Sequence, residues 1–313
     1  MDKLRELLPP TDVNLVLYHG HCTDGFGAAW VAHTVLNTKA EYVGVSYGKQ
    51  DQLSQFVITK ETNVLLVDYS FDLETCQKIK EMAKSFIILD HHKTAEQTLS
   101  KLDYAYFDMN KSGITLAWEY FYPNKEIPEF VRCIETRDLW KFEERQLTCP
   151  HALAFTTSWY NEVGQDPKVD FKHYYDILND TNLVLLRTHI ITGNVIIKYV
   201  ANQIKNVSEE AADLIWQGPD ADTGKLRDYK VKVINNNFVV SDLGNYLSNI
   251  DSVDFAVIWT FSHKTKAYRV SLRSNGKTDV SFIAKLYRGG GHRGAAGFTT
   301  IVHPDTFFKR IDY

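Results

Sequence analysis

The sequence predicts an α/β fold, with a mostly parallel sheet wrapped by helices, then a helical stretch and a smaller C-terminal α/β domain. Three observations carry that prediction. From residue 13, short apolar runs alternate with longer stretches of helical period; four of the apolar runs end in carboxylates or imidazoles; and strand-like runs return after a long helical one. With 313 residues and 44% apolar side chains, the chain can build packed cores and is not of disordered type.

Residues 13–18 read as a buried strand, and 24–36, rich in alanine and apolar residues, as the helix that follows. Residues 41–47, 63–68 and 85–90 read as further strands. Between the last two, residues 72–84 have helical period, with Asp72 as the N-cap. Residues 104–108 add a short strand. Strand-helix-strand alternation implies right-handed crossovers and therefore parallel pairing. After Ser112 the pattern turns helical at 114–122, at 128–137 and beyond Pro150. Residues 182–207 place Leu183, Leu186, Ile190, Ile197, Val200 and Ile204 on a helical period, with Gly193 as an interruption. The polar stretch 217–230, with Gly218-Pro219 and Gly224, reads as a break. The expected division is therefore a first domain at 1–180, a helical linker at 181–216 and a second domain at 217–313. In the last, 232–234, 238–240, 254–261 and 267–272 read as strands and 280–287 as a helix.

The net charge of -4, from 35 basic and 39 acidic residues, argues against a broad basic surface for duplex nucleic acid. It leaves room for a small basic pocket. Cys22, Cys76, Cys133 and Cys149 form no C-x-x-C pair and fit neither a zinc knuckle nor a disulfide scaffold, so a reduced, cytoplasmic setting is the expectation. Residues 1–14 are charged and carry Pro9-Pro10, unlike a signal peptide. No apolar stretch reads as long enough to cross a bilayer, so no membrane partner is expected.

The chemistry gathers where strands end. The first strand leads into His19-Gly20-His21-Cys22-Thr23-Asp24-Gly25, the third into Asp68, and the fourth into Asp90-His91-His92; further on stands Asp138. Taken singly, Asp24 and Asp68 read equally well as helix caps, His19 and His21 as turn residues, and Asp138 as half of an ion pair. Ends of parallel neighbours converge on one edge of a sheet, where ligands of open α/β sheets bind. Aspartate with histidine suits Mn²⁺ or Mg²⁺ better than Zn²⁺, and such a cluster can hold one or two ions. The second domain adds Arg273 and Ser274 at a strand end, and the run Gly289-Gly290-Gly291-His292-Arg293-Gly294-Ala295-Ala296-Gly297. Arginine can grip a phosphate with two donors, and a glycine-rich loop lets backbone N–H groups approach an anion.

Together these residues resemble the DHH phosphoesterases with their usual C-terminal companion domain, over nearly the whole chain. The first domain is similar through His19, Asp24-Gly25, Asp68, Asp90-His91-His92 and Asp138, in the family's order; the second through 271–274 and the Gly-Gly-Gly-His-x-x-Ala-Ala-Gly run. The resemblance implies a DHH domain, a helical linker and a smaller α/β domain with the active site in the cleft between domains. It implies a metal-dependent phosphoesterase acting on a small phosphorylated nucleotide or a short single-stranded oligonucleotide (nanoRNA or adenosine 3′,5′-bisphosphate type), as a monomer or homodimer. The metal ligands would be His19, His21, Asp24, Asp68, His91 and Asp138. Asp68, His91 and His92 would carry catalysis, His92 by orienting the phosphate or protonating the leaving oxygen. Arg273, Ser274, Gly290, Gly291, His292 and Arg293 would hold the substrate. One of Trp118, Trp140, Trp159, Trp216 and Trp259 could stack on a base, most of them being core residues. The chain departs from the family in the first motif, which usually has two aspartates separated by one residue: either Cys22 stands in the first place with Asp24 in the second, or Asp24 takes the first and Phe26 the second, and either way the occupancy of one metal subsite is in question. Alternatives are a pyrophosphatase or exopolyphosphatase on the same fold, and a nucleotide-binding sensor without turnover.

Overall fold

The structure, a computed structural model, describes residues 1–47 and 52–310. They form two compact units, Met1–Ile197 and another from Lys198 onward. The first unit runs α1 (Asp2–Leu7), β1 (Leu15–His19), α2 (Thr23–Leu36), β2 (Glu41–Val45), β3 (Asn63–Val67), α3 (Leu73–Met82), β4 (Ser85–Asp90), α4 (Lys93–Leu99), β5 (Ala105–Phe107), α5 (Gly113–Phe121), α6 (Glu129–Asp138), α7 (Ala152–Glu162) and α8 (Phe171–Leu178), and takes in the first part of α9 (Val184–Ser208). As the sequence predicts, Asp72 caps α3, accepting from Thr75 N at 2.8 Å.

The five strands pair in parallel in the order β2-β1-β3-β4-β5. Their side chains alternate between two cores, as the period of two requires. Val16, Tyr18, Leu65, Val67, Ile87 and Leu89 face α2, α5, α6 and α7. Leu15, Leu17, Val64, Leu66, Phe86 and Ile88 face Cys76 and Ile79 of α3 and Leu99 of α4. Covering both faces explains why these strands read as unbroken apolar runs. The chain leaves β1 for β2 on one side and then crosses to β3 on the other. This reversal opens a crevice beyond the carboxyl ends of β1 and β3, where ligands of such sheets bind.

Two expectations about α9 change. Gly193 does not interrupt the helix: a Cβ there would lie 1.7 Å from the Ala154 carbonyl oxygen, so the glycine lets α9 lie against α7. And α9 is, by length and composition, long and apolar enough to cross a membrane, contrary to the reading that no such stretch exists. Its polar residues Arg187, His189, Lys198 and Lys205 had masked that length. Within the units, Leu186 joins the first core and Ile204 a core of the second.

The second unit continues with β6 (Ala212–Pro219), β7 (Leu226–Asn235), α10 (Val240–Ser248), β8 (Phe255–Ser262), β9 (Ala267–Arg273), α11 (Val280–Leu286), β10 (Gly290–His292), β11 (Ala295–Thr300) and β12 (Phe308–Arg310). Its sheet is ordered β10-β11-β9-β8-β7-β6-β12, antiparallel except for β7 with β8. The expected break at 217–230 is only a turn between two long paired strands. Asp220 Oδ1 closes it, accepting from Asp222 N (3.2 Å), Thr223 N (2.9 Å) and Thr223 Oγ1 (2.9 Å). The strand expected at 238–240 is instead the start of α10, with Val239 in the left-handed region at φ 39°. Parallel β7 and β8 need a crossover, and α10 supplies it. One face packs Trp216, Tyr229, Phe255, Leu272 and Phe298; the other packs Leu243 and Leu247 of α10.

Candidate metal centre

The first unit gathers its polar residues at the switch point. His19 ends β1, Asp24 lies in the first turn of α2, Asp68 follows β3, Asp90 ends β4 with His91 and His92 next, and Asp138 ends α6. Asp68 N still donates to Leu89 O (2.9 Å), continuing the ladder, but its backbone then turns left-handed at φ 58°. Aspartate tolerates that region better than most residues. Two glycines make the convergence possible. At Gly25 a Cβ would lie 2.4 Å from the His19 carbonyl oxygen, and at Gly113 it would lie 2.4 Å from Asp68 Cβ and 2.9 Å from Asp24 Oδ2.

Three carboxylates surround one imidazole. His91 Nε2 lies 3.0 Å from Asp68 Oδ1, 3.4 Å from Asp138 Oδ2 and 3.7 Å from Asp24 Oδ2. Asp24, Asp68 and His91 are each 1% exposed. Burial, the largest influence on His91, disfavours its charge, yet Asp138, Asp68 and Asp24 push its pKa up to about 10. Burial likewise pushes the Asp68 carboxyl up, but the imidazoles of His19 and His91 outweigh it and hold it well below the usual carboxylate range. The His19–Asp68 contact, at 3.5 Å, lies at the limit for a hydrogen bond. Asp24 and Asp138 go the other way: burial and then, for Asp24, the charges of Asp68 and Asp138 push it well up, while burial and the Asp68 charge raise Asp138 against the pull of His91.

The donor set fits a divalent cation. Asp68 Oδ2, Asp138 Oδ2 and His19 Nδ1 are buried and have no hydrogen-bond partner among the described residues. Buried polar atoms are nearly always paired, so these are poised for a ligand. Two groups with ligand atoms within 4.8 Å of one another are His19–Cys22–Asp68 and Asp24–His91–Asp138. Asp68 belongs to the first and touches His91 of the second. His21, expected among the ligands, lies outside every such group of the described residues: its backbone is left-handed at φ 59° and its side chain is exposed.

Asp90 joins Asp68, His91 and His92 in a third such group, and it also braces the loop. Its Oδ1 accepts from His91 N (2.7 Å), His92 N (3.3 Å) and His92 Nδ1 (2.7 Å), and Ser70 Oγ donates to Oδ2 (2.6 Å). Burial favours the neutral form of His92, but the Asp90 charge overrides it and raises the imidazole pKa. Asp24 has a second task, accepting from Gly113 N and from Ile114 N (3.0 Å) at the open start of α5, while Glu135 of α6 accepts from Ser112 N (3.3 Å). The sequence reading missed Ser70, Gly113 and the role of Glu135. It also missed Tyr47, which is 52% exposed, with its ring centre 5.4 Å from His19, 5.9 Å from His92 and 4.4 Å from Tyr69. Trp118, Trp159 and Trp216 are core residues. Trp140 packs beneath Arg137, and Trp259 lies edge-on to Tyr268.

In the second unit several of the expected phosphate-binding residues are engaged within the unit itself. Arg273 donates from Nη1 to Leu272 O (2.9 Å) and from Nη2 to Ser241 Oγ (3.1 Å), its stem packed on Gly244. Ser274 Oγ accepts from Gly276 N (3.1 Å) and Thr278 N (3.2 Å). Gly290, Gly291 and His292 are a strand paired with β11 at the sheet's edge, not an open loop. Gly291 sits at φ 136°, where a Cβ would also lie 2.5 Å from Ala295 O. Arg293 is half-exposed; its Nε donates to Gly276 O (3.0 Å) and its Nη1 lies 3.7 Å from Asp279 Oδ2.

The family model of the DHHA1 domain matches residues 184–305. The chain is 32% identical over 311 residues to Uncharacterized protein R106 of Acanthamoeba polyphaga mimivirus, covering 91% of this chain and 67% of that protein. Among solved structures, the pGpG-specific phosphodiesterase PggH of Vibrio cholerae aligns over 94% of this chain and 95% of its own, at 13% identity and a TM-score of 0.48. An exopolyphosphatase-related protein of Bacteroides fragilis aligns over 97% and 93%, at 11% identity and a TM-score of 0.47. At such scores these two likenesses bear on neither substrate nor mechanism.

Proposed function

Because the chain belongs to the DHH phosphoesterase family, we propose that it hydrolyses a phosphoester bond in a small nucleotide or a short single-stranded oligonucleotide, with one or two divalent cations, Mn²⁺ or Mg²⁺. The observation that carries this reading is the ring of Asp24, Asp68 and the partly buried Asp138 around buried His91, with Asp68 and Asp138 oxygens that lack hydrogen-bond partners among the described residues. Asp24, His91 and Asp138 would hold one ion and His19 and Asp68 another, Asp68 serving both. A divalent cation bound there supplies a more acidic water and neutralises charge on the phosphoryl oxygens.

The chain's own residues do the rest. Asp90 fixes the His92 ring and favours its protonated form, so His92 donates the proton that the leaving oxygen needs. The Ser70 hydroxyl holds Asp90 in turn. The half-exposed ring of Tyr47 beside His19 and His92 offers a face on which a base can stack, which favours a nucleoside-bearing substrate over inorganic pyrophosphate.

The test is a substrate panel with Mn²⁺: adenosine 3′,5′-bisphosphate, linear dinucleotides, cyclic dinucleotides and pyrophosphate. Hydrolysis of one nucleotide class is expected, with loss of turnover on chelation and a fall of at least about a hundredfold in Asp68→Asn. Turnover of pyrophosphate alone, or full activity in Asp68→Asn, would overturn the proposal.

A further inference from the structure

One ligand atom each from His19, Cys22 and Asp68 lies within 4.8 Å of the other two. Cys22 thus stands among metal-ligating groups, at one of the two places where the first motif's missing aspartate can fall, and two buried polar atoms beside it point to a ligand there. Asp68 is 1% exposed with its Oδ2 lacking a hydrogen-bond partner among the described residues, and His19 Nδ1 is buried in the same condition. The local fold holds the thiol in place. Gly25 packs against the His19 backbone, the chain reverses at left-handed His21, and Cys22 immediately precedes the first turn of α2.

We propose that Cys22 is a ligand of the cation held with His19 and Asp68, and that this sulfur, nitrogen and oxygen set makes the subsite prefer thiophilic ions such as Zn²⁺, Co²⁺ or Fe²⁺. On binding, the thiol proton leaves to solvent and the sulfur donates its electron pair to the cation. Thiolate selects softer ions, whereas carboxylate with imidazole, as in Asp24, His91 and Asp138, also accommodates Mn²⁺. The inference deepens the proposed function and rests on the reading of the cluster as a metal centre. Its consequence is a centre with two unlike subsites.

The experiment titrates metal-stripped full-length protein with Co²⁺, following near-ultraviolet absorption and, by equilibrium dialysis, the amount of cobalt bound. A sulfur-to-cobalt charge-transfer band is expected, absent in Cys22→Ser and retained in Cys149→Ser. Cys22→Asp should lose the band and shift the competition between Zn²⁺ and Mn²⁺ at least about tenfold toward Mn²⁺. Cobalt bound without the band, or a band unchanged in Cys22→Ser, would overturn the inference. If Mn²⁺ still supports hydrolysis in that case, the proposed function stands and only the role of Cys22 falls. Protein that binds neither Co²⁺ nor Mn²⁺ would remove both.

Discussion

At the carboxyl end of the parallel sheet, Asp24, Asp68 and Asp138 press around one imidazole, and Asp68 Oδ2, Asp138 Oδ2 and His19 Nδ1 lack hydrogen-bond partners among the described residues. In the second unit, Ser274, Asp279 and Asp220 direct their oxygens to nearby backbone N–H groups. Both regions are rich in the residue types that bind phosphates and metals. What separates them is satisfaction. Like charges gathered in a low-dielectric site repel one another unless something neutralises them. Turn-closing oxygens already have what they need. Residue type nominates a site, but an unmet valence at a strained backbone identifies it.

That contrast breaks most decisively at Gly113. If the first region depends on close packing of its carboxylates, Gly113→Ala drives a methyl against Asp68 and Asp24. We expect a stability loss of about 1–3 kcal/mol in urea unfolding and a fall in turnover of about a hundredfold. A stable, fully active variant would mean that the cluster is looser than described. The second region supplies the next test. Ser274→Ala removes the acceptor for two backbone N–H groups and should cost about 1–2 kcal/mol in the same assay, with KM unchanged. A large rise in KM without destabilisation would return Ser274 to the substrate site.

The smallest effect concerns the turn between β6 and β7. Hydrogen bonds from Thr223, hydroxyl and backbone, hold the Asp220 carboxyl below its ordinary value. A carboxylate depressed on folding stabilises the fold above its unfolded pKa of about 3.9, and that contribution is lost as pH falls through the folded value. Amide exchange at Thr223 should therefore quicken below about pH 4, and Asp220→Asn should flatten that acid response. A response that persists in the variant would assign it to another group.

The positions of Asp68 and of Asp90-His91-His92 were legible because an apolar run marks a strand and a parallel sheet brings strand ends to one side. Gly113 was not, because its role arises from contact with Asp24, 89 residues away in the chain. The same reason hid Gly193, whose meaning lies in the Ala154 carbonyl. Residues 238–240 misled because a short apolar, partly β-branched run looks like a strand, while the connection between parallel β7 and β8 demands a helix there. His21 could not be told from His19 by type; a reversed backbone turned it outward.

Asp24 has two employers: besides facing the cluster, it fastens the opening turn of α5 through Gly113 and Ile114. A descendant that gave up catalysis would still need that carboxylate to keep the helix anchored. Its survival in a lineage therefore speaks for architecture, and the persistence of Asp138 is the better witness that chemistry has been kept.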